Sequence, residues 1–126
     1  MSEQTMLLLT GPRTCGLTAA AIKIARDRKI PFGLLAPTDK EAEALSGIWE
    51  HVPAMSVRYG MRPPIEWMTY IFIDANSISS RDFLRASGYA QDRGASIIVC
   101  GRPPIGKDHW LLRFRSTTGV EVREIG

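Results

Sequence analysis

Disulfide chemistry and zinc binding are the first things this sequence lacks the means for. Only two cysteines, Cys15 and Cys100, occur in 126 residues. A disulfide framework needs several pairs and a structural zinc site usually needs four ligands. The two histidines, His51 and His109, do not stand at ligand-like spacing from either cysteine. A redox pair between Cys15 and Cys100 is conceivable at one edge of a sheet, but two independent thiols are the default expectation. Long hydrophobic runs are missing too: none approaches the ~18–20 residues of a membrane span. The opening MSEQTM is too polar, and the apolar stretch of residues 7–9 too short, for a secretory leader. Repeats, low-complexity tracts and linker-like stretches are absent as well. The expectation is a single domain over residues 1–126 with no membrane partner, cytoplasmic, or in the host cytoplasm if the source is viral.

The excess of one sign of charge is small. Sixteen Lys and Arg against thirteen Asp and Glu give a formal net charge of +3, compatible with an anionic partner but not a demand for one. Apolar residues make up 44% and charged residues 23%, ordinary values for a chain with one hydrophobic core.

What the sequence does have is an alternation of short apolar runs with helical patterns. Met6–Thr10 (MLLLT) is continuous and apolar, as a strand buried on both faces requires. After the turn signal Gly11-Pro12, residues 16–28 place Leu17, Ala20, Ala21 and Ile24 at helical spacing. Phe32–Ala36 (FGLLA) reads as the next strand. Thr38 with Glu41 then forms a capping-box pair, with Ala42, Leu45, Ile48 and Trp49 as the buried helix face. A short strand over 56–59 and a loop over 60–64 follow. Residues 70–73 (YIFI) make a third buried strand ending at Asp74. Ser79 with Asp82 opens another helix, which Phe83, Leu84, Ala86 and Ala90 carry to a stop at Gly94. Residues 96–100 (SIIVC) are the fourth buried strand. Residues 110–115 and Val120–Glu124, flanking residues 117–119, read as a terminal hairpin. Together these predict an α/β three-layer sandwich with a mostly parallel central sheet and a C-terminal β-hairpin. Ligands in such sheets sit outside the carboxyl ends of the strands, which singles out the loops after Thr10, Ala36, Ile73 and Cys100.

The first of these loops carries the clearest motif. Gly11, Pro12, Arg13, Thr14, Cys15, Gly16, Leu17 and Thr18 match the phosphate-loop pattern G-x-x-x-x-G-K-[ST] everywhere except at the lysine. The glycines would let successive N–H groups face phosphate oxygens, the helix terminus would add its dipole, and Thr18 stands where a hydroxyl could ligand Mg²⁺. A tight βα turn with no ligand is an equal alternative. Leu17 in place of lysine removes a charged contact of roughly 1.5–3 kcal/mol, which weakens nucleotide binding about tenfold to a hundredfold or more. Leu17 is better read as a core residue of the first helical turn. Asp74, after four apolar residues, stands where a metal-holding carboxylate would. The next residue is Ala75 rather than a water-activating glutamate, and Asp-Ala-Asn is also good turn chemistry.

These segments resemble P-loop NTPases of the RecA-like and thymidine-kinase-like kind. LLLTGPRTCGLT is similar to the strand and phosphate loop of that superfamily. LLAPTDKEAEAL is similar to the LAPT stretch of superfamily 1 helicases, which implies contact with single-stranded nucleic acid there. IFIDANS resembles their Walker B segment with Ala75 in place of glutamate, and DRGASIIVCGRP their fourth strand and following loop. The resemblance spans about residues 6–104 in the correct order. It implies a P-loop core, ATP or GTP with Mg²⁺ as ligands, and Thr18 and Asp74 at the metal. The departures at Leu17 and Ala75 speak against hydrolysis, and no zinc-bearing lasso or second motor domain accompanies the motifs.

Three uses of such a scaffold follow. The first is a non-hydrolysing nucleotide-binding domain with a regulatory or binding role. The second is a nucleic-acid-binding or protein-interaction module without nucleotide, using Arg58, Arg62, Arg102, Lys107, Arg113 and Arg115 with Tyr59, Trp67 and Trp110 as stacking platforms. For that set, a solvated basic surface over core tryptophans is the plainer expectation. The third is a small ATPase or nucleoside-kinase-like enzyme in which Arg13, Lys23 or Lys107 replaces the lysine.

Overall fold

The computed structural model describes residues 4–58 and 66–125. Six strands alternate with four α-helices: β1 (Met6–Thr10), α1 (Thr14–Asp27), β2 (Phe32–Ala36), α2 (Asp39–Ile48), β3 (Ala54–Ser56), β4 (Thr69–Phe72), α3 (Ser80–Asp92), β5 (Ser96–Gly101), α4 (Trp110–Ser116) and β6 (Val120–Glu124), with a 3₁₀ turn at Ala75–Ser77 between β4 and α3. The strands form one sheet in the order β3-β2-β4-β5-β1-β6, and every neighbouring pair is parallel.

The continuous apolar runs are buried on both faces because alternate side chains feed two cores. Leu7, Leu9, Leu34, Ile71 and Ile98 point to the α1 and α2 side, where Leu17, Ala21, Ile22 and Ala25 meet them. Leu8, Leu35, Tyr70, Phe72, Ile97 and Val99 point to the other side, against Phe83, Ala90, Trp110, Leu111 and Phe114 of α3 and α4. The result is the expected three-layer sandwich, with an all-parallel sheet.

Local choices in the sequence support this arrangement. The Thr38 hydroxyl accepts the Glu41 N–H at 3.2 Å and the Ser79 hydroxyl accepts the Asp82 N–H at 3.1 Å, closing α2 and α3 as their capping patterns predict. Gly33 is dictated by packing: a Cβ there would lie 2.1 Å from Trp67 Cζ2. Burying the Trp67 ring over β2 therefore requires a residue without a side chain.

The terminal hairpin is corrected. Residues 110–116 are helical, and β6 pairs in parallel with β1 rather than antiparallel with its predecessor. Trp110, Leu111 and Phe114 fall on one helical face. Trp110 stacks on Phe83 with ring centroids 3.9 Å apart, and its indole N–H donates to Ile78 O. The alternation read along six residues was too short to outweigh that aromatic stripe. The His109 Nδ1 caps this helix by accepting the Leu111 N–H. Its Nε2–H is then the donor to Asn76 O at 3.0 Å. One residue of the expected buried face of α2 is corrected: Ile48 is 70% exposed, and on α3 the large apolar Leu84 is 64% exposed. The short third strand sits at Ala54–Ser56, two residues early. Tyr59, Arg62 and the 60–64 loop lie outside the described residues.

Candidate functional site

At the carboxyl edge of the sheet the chain leaves adjacent strands toward opposite faces in two places. From β1 it turns to α1, whereas from the neighbouring β5 it turns to α4 on the other side. From β2 it turns to α2, whereas from the neighbouring β4 it passes to α3. Such divergence opens crevices in parallel sheets, and both lie among the loops singled out from sequence.

At the first crevice, only Gly11, Pro12 and Arg13 separate β1 from α1, because the helix begins at Thr14 and takes in Cys15 and Gly16. The Leu17 N–H closes the first turn onto Arg13 O at 3.1 Å. Helical geometry leaves the Thr14, Cys15 and Gly16 N–H groups without partners inside the helix. No side chain caps them and no acidic residue lies in the first turn. The other three described helices are capped by Thr38, Ser79 and His109. Exposed Pro12 and Arg13, together with Gly16 and Ile125, line a cavity of about 340 Å³ at this terminus.

The two glycines of the motif are there for different reasons. A Cβ on Gly11 would come within 2.4 Å of Ile125 O, so Gly11 is required by the strand end that crosses it. That segment is held by the Ile125 N–H donating to Thr10 O at 2.7 Å. A Cβ on Gly16 would meet nothing closer than Arg13 Cβ at 4.0 Å. Leu17 is buried in the α1-side core, as its plainer reading expected. Thr18 is buried as well, and its hydroxyl donates to Thr14 O at 2.9 Å. Cys15 is exposed. Cys100 is buried, its thiol pushed up to about 12 by desolvation. Both thiols are free.

The second crevice gathers groups from three strand ends. Asp74 follows β4 in a left-handed conformation (φ 50°) and is 17% exposed at its side chain. Its Oδ1 is buried without a hydrogen-bond partner among the described residues, and Arg102 Nη2 stands 4.0 Å away. Glu41, from the first turn of α2, faces it. Burial first, and then the like charge of Asp74 and a hydrogen-bonding contact with it, hold the Glu41 carboxyl above the ordinary range. Arg102 is positioned by Asn76, whose side-chain amide donates to Arg102 O and accepts from Arg102 N–H, both at 2.8 Å. Glu41, Asn76 and Ile125 were not singled out as site residues. Glu41 carried a capping signal only, and nothing in the sequence says that β2 and β4 are neighbours.

Arg58, Arg102, Lys107, Arg113 and Arg115 are exposed. The two tryptophans grouped with them are not: Trp67 and Trp110 are core residues and offer no stacking surface. Among the described residues no group of three His, Cys, Asp or Glu side chains could hold a metal ion, and no helix is long and apolar enough to cross a membrane. No protein-family model matches the chain, and no curated protein matches it.

Proposed function

We propose that this chain is a P-loop-like domain that binds the phosphates of a nucleotide without efficient hydrolysis, in a regulatory or binding role. The observation that carries the reading is the uncapped N-terminus of α1. It is a fourteen-residue helix whose free N–H groups and dipole favour an anion. It opens, beside Arg13, into the cavity at the carboxyl edge. The Arg13 guanidinium supplies the positive charge that Leu17 cannot. Where Mg²⁺ accompanies ATP or GTP, Asp74 is the carboxylate that would serve it, its Oδ1 lacking a hydrogen-bond partner, though it stands at the neighbouring crevice and does not line this cavity. Thr18 spends its hydroxyl hydrogen inside the helix. Neither Leu17 nor Ala75 can assist phosphoryl transfer, so binding without turnover is the expected activity.

The test is an amide NMR titration with ATP and GTP, with and without Mg²⁺. The Thr14, Cys15 and Gly16 resonances are expected to move first, and Arg13→Ala should weaken binding about tenfold or more. Unmoved amides at millimolar nucleotide would remove the proposal.

A further inference from the structure

Among the described residues β6 ends the sheet, with β1 on one side and no strand on the other. It is nearly all exposed, and Val122 at its centre is 43% exposed. The backbone phase of the strand is fixed by one contact: the Ile125 N–H donates to Thr10 O. In an unbulged strand, N–H and C=O groups alternate sides residue by residue. The ladder with β1 is unbroken from Met6↔Val120 to Thr10↔Glu124. Glu121, Arg123 and Ile125 therefore spend their backbone groups on β1, while Val122 and Glu124 turn theirs outward.

The side chains follow the same register. Glu121 and Arg123 lie level with Leu7 and Leu9, on the α1 side, where they form an ion pair with each other and their charges act on Arg28. Val122 lies level with Leu8 on the opposite face.

We propose that β6 pairs with β6 of a second copy of this chain, antiparallel about a two-fold axis at Val122, joining two sheets into one of twelve strands. The charge sequence selects this register. Centred on Val122, each Glu121 lies opposite the partner's Arg123, and Val122 lies opposite the partner's Val122. Centring the pair on Glu121, Arg123 or Glu124 sets like charges directly opposite one another, which destabilises a sheet. Centring it on Val120 leaves the charged residues without cross-strand partners.

The backbone phase agrees independently, since a hydrogen-bonded pair on the axis needs a residue whose N–H and C=O both face outward, and Val122 is one. Val122 then exchanges two hydrogen bonds with the partner's Val122. The Glu124 N–H reaches the partner's Val120 carbonyl, twice by symmetry. Edge strands are commonly guarded by charge against pairing. Here the charges alternate in sign so that one two-fold register is complementary.

The test is sedimentation velocity between about 1 and 300 µM, in the range where weak symmetric dimers assemble. A species of twice the 14.0 kDa chain mass is expected to grow with concentration. Glu121→Arg sets Arg against Arg across the axis and should weaken the dimer about tenfold or more. Combining it with Arg123→Glu restores the complement and the dimer. Mixing the separate Glu121→Arg and Arg123→Glu chains should produce a heterodimer. Val122→Pro removes an outward N–H, leaves the β1 ladder intact and should give a folded monomer, checked by circular dichroism. A wild type that stays monomeric throughout, or a dimer untouched by Glu121→Arg and by Val122→Pro, overturns the proposal.

Discussion

Restoring the missing lysine should damage this protein rather than repair it. Leu17 is 1% exposed and packs with Leu7, Ala21, Ile22 and Cys100 in the α1-side core. Its Cδ2 lies only 3.3 Å from where a Cβ on Gly11 would sit, so the turn above leaves it little space. Removing a leucine from such a site costs about 2–5 kcal/mol. Leu17→Lys keeps some methylene contact, but its ammonium must leave the core past Gly11 and Ile125, so a loss of about 3 kcal/mol is expected. At about 2.1 cal/mol/K per residue, a chain this long has an unfolding entropy near 0.26 kcal/mol/K, and the melting temperature should fall by roughly 11 °C. Leu17→Met, a change of shape at similar volume, should cost less than about 1.5 kcal/mol. Differential scanning calorimetry of the three proteins, each with and without ATP and Mg²⁺, reads both stability and affinity. If Leu17→Lys melted within about 2 °C of wild type, or bound nucleotide about tenfold more tightly, residue 17 would have to face the cavity and the packing argument would be refuted.

Two further outcomes are expected. In a side-chain carboxyl NMR titration Glu41 should hold its proton above the ordinary glutamate range, and Asp74→Asn should lower that value without normalising it, since burial is the larger cause. Because the folded value is raised, Glu41's contribution to stability is fully present below the unfolded value and is lost as pH rises through the folded one. A titration unmoved by Asp74→Asn would show that the two carboxyls are uncoupled. Gly33→Ala, which drives a methyl into the Trp67 ring, should cost about 1–3 kcal/mol, and pairing it with Trp67→Leu should recover part of that loss in urea unfolding. Full additivity of the two substitutions would contradict the contact.

Much of the scaffold was legible because local signals agreed with it. β1 and β2 fall where their apolar runs end, and α2 and α3 begin at hydroxyl caps three residues before Glu41 and Asp82. α4 was hidden because a seven-residue helix offers barely two turns of periodicity, while its aromatic partner Phe83 is distant in sequence. Ile48 and Leu84 show that apolar identity does not fix exposure near a helix end or on an open flank. The motif at residues 11–18 was visible as letters, but the roles of those letters were not. Gly11 answers to a carbonyl of Ile125, more than a hundred positions away, and Thr18 answers to its own helix. Strand order is what joins Glu41, Asp74 and Arg102, and order is a property of long-range pairing that no local pattern encodes.

The placement of β1 bears on how this protein is made. Met6 pairs with Ile97 on one flank and with Val120 on the other, so the first of the described strands in chain order is sandwiched between the last two. During synthesis β2 and β4 can meet first, while the apolar β1 waits for β5 and β6. Contacts of such wide sequence separation slow folding and expose intermediates to aggregation. A premature stop ahead of β6 would leave β1 with an open flank, and the shortened product would be a client for chaperones instead of a smaller working domain.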